Sequence, residues 1–164
     1  MANAKTLAGS KFYIAVDGTG DALPQNSDLT QSQFDGLDWL EVKGVGSLGQ
    51  TGVSTNIVTY DDYDTEVTQK GKGISNAGDP EVECRRIGSD PGQVEMRKAA
   101  LDQTNSYAFK HELADKATSS GNGTTYYNRG LVTGPMTPNG RNEDFDLEMF
   151  TLGLNQRQIV KEAS

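Results

Sequence analysis

Cysteine, histidine and tryptophan occur once each in these 164 residues, and no long apolar run occurs anywhere. A single thiol, Cys84, forms no intrachain disulfide, which fits a chain made in a reducing cytoplasm. With one histidine, His111, a metal site would have to draw every other ligand from carboxylates and the lone thiol. The serines, the threonines and Cys84 have no obvious base beside them to activate a nucleophile. No stretch approaches membrane-spanning length, and the opening MANAKTLAGSK lacks the apolar centre of a secretory signal. Positive charge is scarce too: 15 Lys and Arg stand against 23 Asp and Glu, a net of -8. A chain this acidic repels phosphate backbones, so stable nucleic-acid binding is not expected. The expectation is a soluble, non-enzymatic protein with no catalytic residue, no cofactor and no metal.

What is present favours strands. The 19 glycines, with many Thr, Ser, Asn and Asp, promote turns over long helices. The length suits one domain across residues 1–164, opened by a polar arm over 1–10 and closed by a polar tail over 155–164. Between them, strands are expected over 11–17 (Phe12, Ile14 and Val16 on one face), 39–45, 80–87, 107–113, 126–132 and 144–154. A helical turn is expected around 28–34. Ser89-Asp90-Pro91 reads as an N-cap followed by proline at the first helical position, opening a helix to about Gln103. Val94 and Leu101 share one stripe of that helix, Met96, Ala99 and Ala100 another, and Arg97 and Lys98 reach toward a neighbour or solvent. The fold class is mainly β: an antiparallel sandwich or barrel with one packed α-helix and a long extended loop or hairpin.

That extended loop runs over residues 44–79, about a fifth of the chain, with no sustained apolar face. A structureless connection of such length is uncommon inside a domain and is usually functional or disordered. Within it, 55–60 and 65–69 can pair as a hairpin across the acidic turn Asp61-Asp62-Tyr63-Asp64, although a lone two-stranded ribbon is marginal in water. The bland readings of the remaining motifs win. Cys84 alternates with Val82 and reads as a small buried hydrophobe. His111 falls on the apolar face of its strand and reads as a hydrogen-bonded structural histidine. Gly18-Thr19-Gly20 reads as a turn, because no third glycine follows. Asp61, Asp62, Asp64 and Glu66 resemble a calcium loop, but Val67 stands where glycine is needed, so a solvated acidic turn is expected. In the strand over 144–154, Phe145, Leu147 and Met149 are expected to pack inward and Asp144, Asp146 and Glu148 to face water.

The order of these features resembles the major tail tube protein of long-tailed, non-contractile, lambda-like siphophages. The residues that carry it are the Trp-containing strand Asp38-Trp39-Leu40-Glu41-Val42, the cluster Tyr60-Asp61-Asp62-Tyr63, and the turns Gly71-Lys72-Gly73 and Ala77-Gly78-Asp79. The helix start Pro91-Gly92-Gln93 and the aromatic strand Tyr107-Ala108-Phe109 complete it, over residues 38–113. The resemblance implies the phage tail tube fold and a subunit that stacks as homo-hexameric rings around a channel for genome delivery. It implies partners in the tape measure, tail tip and tail terminator proteins, passage of DNA without binding, no membrane, and a virion tail assembled in the host cytoplasm. Under it, the 44–79 loop joins subunits through Ile57, Val58, Tyr60, Asp61, Asp62, Tyr63, Lys70 and Lys72, while Asp144, Asp146 and Glu148 face either the channel or the solvent outside the tube. Two other readings stand beside it: a contractile-tail or secretion-system tube subunit, and a carbohydrate- or calcium-binding β-sandwich module at a virion surface.

Overall fold

The computed structural model describes residue 4 and residues 6–164; of the expected arm over 1–10, positions 1–3 and 5 lie outside the described residues. In chain order the elements are β1 (Lys11–Val16), α1 (Gln31–Asp35), β2 (Asp38–Val42), β3 (Val45–Leu48), β4 (Ser54–Tyr60), β5 (Gln69–Asn76) and β6 (Glu81–Arg85). They continue with α2 (Pro91–Leu101), β7 (Tyr107–Glu112), β8 (Thr125–Met136), β9 (Leu147–Leu154) and β10 (Ile159–Lys161). One antiparallel sheet runs β2-β1-β7-β8-β9-β6-β3, with β10 added to β8, and β4-β5 forms a separate two-stranded sheet.

The two edge strands of the large sheet, β2 and β3, are consecutive in the chain and separated only by Lys43 and Gly44, so the sheet must curl until its edges nearly meet. No ladder joins them among the described residues, and the barrel stays open. Gly44 makes this corner possible: its φ is +81°, and a Cβ there would press on the Arg85 carbonyl. Helix α2 bridges the gap. Asp90 caps it, accepting from the Gln93 amide (3.0 Å) and from the Lys43 amide (3.1 Å). The fully buried Gln93 side chain donates to the Lys43 and Arg85 carbonyls (2.6 and 2.8 Å) and accepts from the Ile87 amide (2.8 Å). One glutamine thereby satisfies three backbone groups at this corner.

The main core lies between α2 and the concave side of the sheet, where Phe12, Ile14, Val42, Val82, Cys84, Met96, Phe109, Phe150 and Leu152 pack together. A smaller cluster covers part of the other face: Phe34 from α1 stacks on Tyr127 (4.9 Å between centroids), and Trp39 stacks on the same ring (5.9 Å). This second layer explains why Ala15 and Ala108, on the expected outer faces of their strands, are fully buried.

Several expectations are corrected. Strand β3 pairs with β6 inside the large sheet, so the loop expected from residue 44 leaves the sheet only after Leu48. The hairpin's second strand is displaced from 65–69 to β5, because Asp61–Thr68 form a wide tip. Strand β8 does not stop before Gly134-Pro135; it continues past an irregularity to Met136, which pairs with Met149. The tail over 155–164 is not free, since β10 adds to β8 and the buried Gln156 bonds both backbone groups of Leu29. Leu101 is 77% exposed, whereas Met96, Ala99 and Ala100 are buried, so the helix packs by the second stripe. His111 is held by stacking on Tyr126 (6.1 Å between centroids), and no side-chain hydrogen bond to it is found among the described residues.

Candidate assembly surface

Strands β4 and β5 pair from Ser54↔Asn76 to Tyr60↔Gln69, with an irregularity between Thr55 and Ile57. The β-branched run Thr55, Ile57, Val58, Thr59 favours extended backbone on one side. Across it lie Gly71 and Gly73, over which the Val58 side chain rests. Facing hydroxyls of Thr55 and Ser75 tie the base at 2.7 Å. At the tip, the Asp62 carboxylate accepts from the Asp64 amide (3.0 Å) and the Thr65 hydroxyl (2.8 Å), which fixes the turn. These bonds occupy the one carboxylate best placed to hold a cation, and among the described residues no group of three or more His, Cys, Asp or Glu could hold a metal ion.

Of the residues expected at a subunit interface, Ile57, Val58, Tyr60, Asp61, Asp62, Tyr63, Lys70 and Lys72 all lie on this hairpin and all are exposed. Tyr60 is 76% exposed, and Tyr63 shows its whole ring to solvent. An isolated hairpin has no core of its own, so a ribbon bearing four large apolar side chains (Ile57, Val58, Tyr60 and Ile74) is an unusual thing to leave in water. Cross-strand partners share a face. Ile57 and Thr59 thus stand with Lys72 and Lys70 on one side, and Val58 and Tyr60 with Gly71 and Gln69 on the other.

The acidic row expected on β9 is broken. Asp144 and Asp146 are exposed in the segment before the strand, but Glu148 is only 3% exposed and shares the inward parity of Phe150, Leu152 and Leu154. Its carboxylate receives Arg97 from Nη2 and Nε (2.9 and 3.0 Å) and Arg86 from Nε (3.2 Å). Glu148 therefore cannot face a channel, and Arg97 points inward and not at a neighbour. Leu147 and Met149, expected in the core, are half-buried on the outer face, and Phe145 is 79% exposed. The inversion arises because both parities of 145–154 are apolar; only a buried partner for Glu148 decides between them. The sign available in sequence was Arg97, in the second turn of a helix that must lie over the sheet.

Beneath this ion cluster, burial pushes the Cys84 thiol up to about 12, with the Glu148 carboxylate adding to the rise. The thiol is fully buried and stays protonated, the reverse of an activated nucleophile. Clefts on the surface are shallow. One of about 390 Å³ lies where β1, β3 and β7 open beside His111, Leu113 and Tyr126, and among the described residues no carboxylate lines it.

Comparison with known proteins places the fold. No protein-family model matches the chain, and no curated protein matches it in sequence. Solved structures do. A chain from the cryo-EM structure of the sheath/tube terminator of an extracellular contractile injection system, PVC, in its extended state, aligns over 98% of both chains at 12% identity with a TM-score of 0.68. One from the anti-feeding prophage baseplate, 6-fold symmetrised, aligns over 100% of this chain and 99% of its own at 9% identity and 0.67. One from the cap that terminates the anti-feeding prophage tube aligns over 99% and 95% at 14% and 0.64. Near-complete coverage in both directions shows a shared fold, mostly antiparallel β with an open barrel.

Proposed function

We propose that this protein is a structural subunit of a phage-like tail, and that its rings stack into the tail's tube. The observation that carries the reading is the exposed apolar hairpin β4–β5 on a fold shared end to end with chains of tail-like injection particles. A ribbon that cannot stabilise itself is suited to being ordered by a neighbour, and head-to-tail contacts close into rings or extend into filaments. The same reading supplies the remaining parts: homo-hexameric rings around a channel, tape measure, tip and terminator proteins as partners, and a net charge of -8 that does not retain a passing genome. Asp144 and Asp146 are the carboxylates of the expected row still available to a channel wall.

The PVC neighbour named above comes from a contractile injection system, which favours the contractile form of this reading over a lambda-like flexible tail. Two of the solved neighbours concern a terminator and a cap, so a subunit at the end of a tube is the second reading. Electron microscopy of the concentrated protein in negative stain tests the assignment. Stacked rings or tubes are the expected result, discrete single rings support the tube-end role, and a protein that remains monomeric at every concentration overturns both.

A further inference from the structure

The hairpin carries a charge pattern as well as apolar side chains. Lys70 and Lys72 stand two residues apart on one face of β5, with Ile57 beside them on β4, and Asp61, Asp62, Asp64 and Glu66 crowd the tip. The ribbon is therefore basic along its stem and acidic at its end. On the large sheet, the outer face of β6 presents the opposite order: Glu81 and Glu83, two residues apart, and then Arg85. Beside them on β9, the register sets Met149 against Glu83 and Leu147 against Arg85. A groove of about 240 Å³ lies there, lined by Gly44, Gly46, Glu83, Arg85, Phe145 and Leu147. Among the described residues Lys70, Lys72, Glu81, Glu83 and Arg85 have no ion-pair partner, although other charges of the molecule are paired.

We infer that this strip of β6 and β9 is the receiving surface for the β4–β5 hairpin of a second copy of the chain. The inference rests on the tube-subunit reading and names the surface that reading leaves open. Equal strand rise makes the spacing of Lys70 and Lys72 match that of Glu81 and Glu83, at about 7 Å for two residues. With Lys72 on Glu81 and Lys70 on Glu83, Thr59 comes level with Met149, and the acidic tip comes to Arg85. Reversing the direction of the ribbon would carry the acidic tip past Glu81 and away from Arg85, so the charges also choose the orientation. Because donor ribbon and receiving strip are different surfaces, the contact is head-to-tail and propagates.

Charge exchange in the full-length protein tests this. Lys70→Glu with Lys72→Glu, and separately Glu81→Lys with Glu83→Lys, should each lower the assembled fraction about tenfold or more, since like charges then face one another. All four changes together should restore assembly to within about threefold of the parent, because the pairing is re-formed with its signs exchanged. As a second measurement, Thr59→Cys with Met149→Cys should give disulfide-linked ladders in the assembled fraction, whereas neither single change should. Cys84 is silent in this assay because it is fully buried. A parent that assembles, together with a four-fold variant no better than its two halves and no cross-link from the double cysteine, overturns the docking while leaving the tube reading intact. A parent that never assembles overturns the tube reading itself.

Discussion

Glu148 shows how one residue can be legible in type and misleading in place. A carboxylate in an alternating strand reads as the solvent face, yet here it lies 3% exposed under two arginines. Removing one member of a buried ion pair leaves the other charge without compensation. Glu148→Ala should therefore cost about 3 kcal/mol of stability in urea melts; a loss indistinguishable from that of an exposed Asp146→Ala control would contradict the buried assignment. Asp35 provides a titration with the opposite character. The Tyr127 hydroxyl donates to it at 2.6 Å and Lys161 approaches at 3.3 Å, and these contacts hold its carboxyl below the usual range. A carboxyl whose folded pKa is depressed stabilises the fold above its ordinary pKa of about 4, and that contribution disappears as pH falls through the folded value. The stability gap between parent and Asp35→Asn should thus be open at pH 7 and closed in strong acid, which denaturation midpoints across the range would reveal.

Elements differ sharply in how they are supported. Helix α2 approaches β2 so closely that a Cβ on Gly92 would collide with the Glu41 carbonyl and the Val42 backbone. Gly92→Ala should cost about 1–3 kcal/mol through overpacking, whereas Leu101→Ala, at the exposed end of the same helix, should cost less than about 0.5 kcal/mol. Equal losses at the two positions would mean that the helix packs otherwise. The hairpin β4–β5 belongs to the weakly supported class, with exposed apolar side chains and no second layer. Deleting Asp61–Lys72 should leave the melting of the large sheet unchanged while abolishing polymerisation. Limited proteolysis should cut the ribbon in monomers and spare it in assemblies, and equal protection in both states would remove its role as a staple.

At the scale of the molecule, the surface is divided into parts that complete the fold and parts that await a partner. Gln93 and α2 bridge the gap of the open barrel, and the reverse face is partly covered by α1 and β10. Among the described residues the strands of the hairpin are largely exposed, and the outer row of β9 is only half-buried. Asp144 and Asp146 lie in the segment leading into that row, exposed and close to Phe145. If they line a channel in stacked rings, Asp144→Lys with Asp146→Lys should permit tubes to form yet slow passage of DNA, because a basic wall attracts phosphates. Unchanged ejection rates in particles carrying both changes would place these carboxylates on an outer wall.

Local patterns settled much of this protein from its sequence. Period-two alternation placed β1, β6 and β7, Asp90-Pro91 placed the start of α2, and the glycine-rich polar run marked a segment unable to pack by itself. Each of these depends on neighbours a few residues apart, which a sequence displays directly. Position on a face was another matter where both parities are apolar, as in β9, since burial there is decided by what lies across the sheet. Arg97 reaches Glu148 across 51 positions, and Gln156 reaches Leu29 across 127. The enrolment of β3 and β10 in the large sheet likewise depends on distant strands leaving an edge open for them. Long-range pairing selects among arrangements that are locally equivalent, and so the tertiary structure alone decided which charges are buried in the chain and which are left exposed.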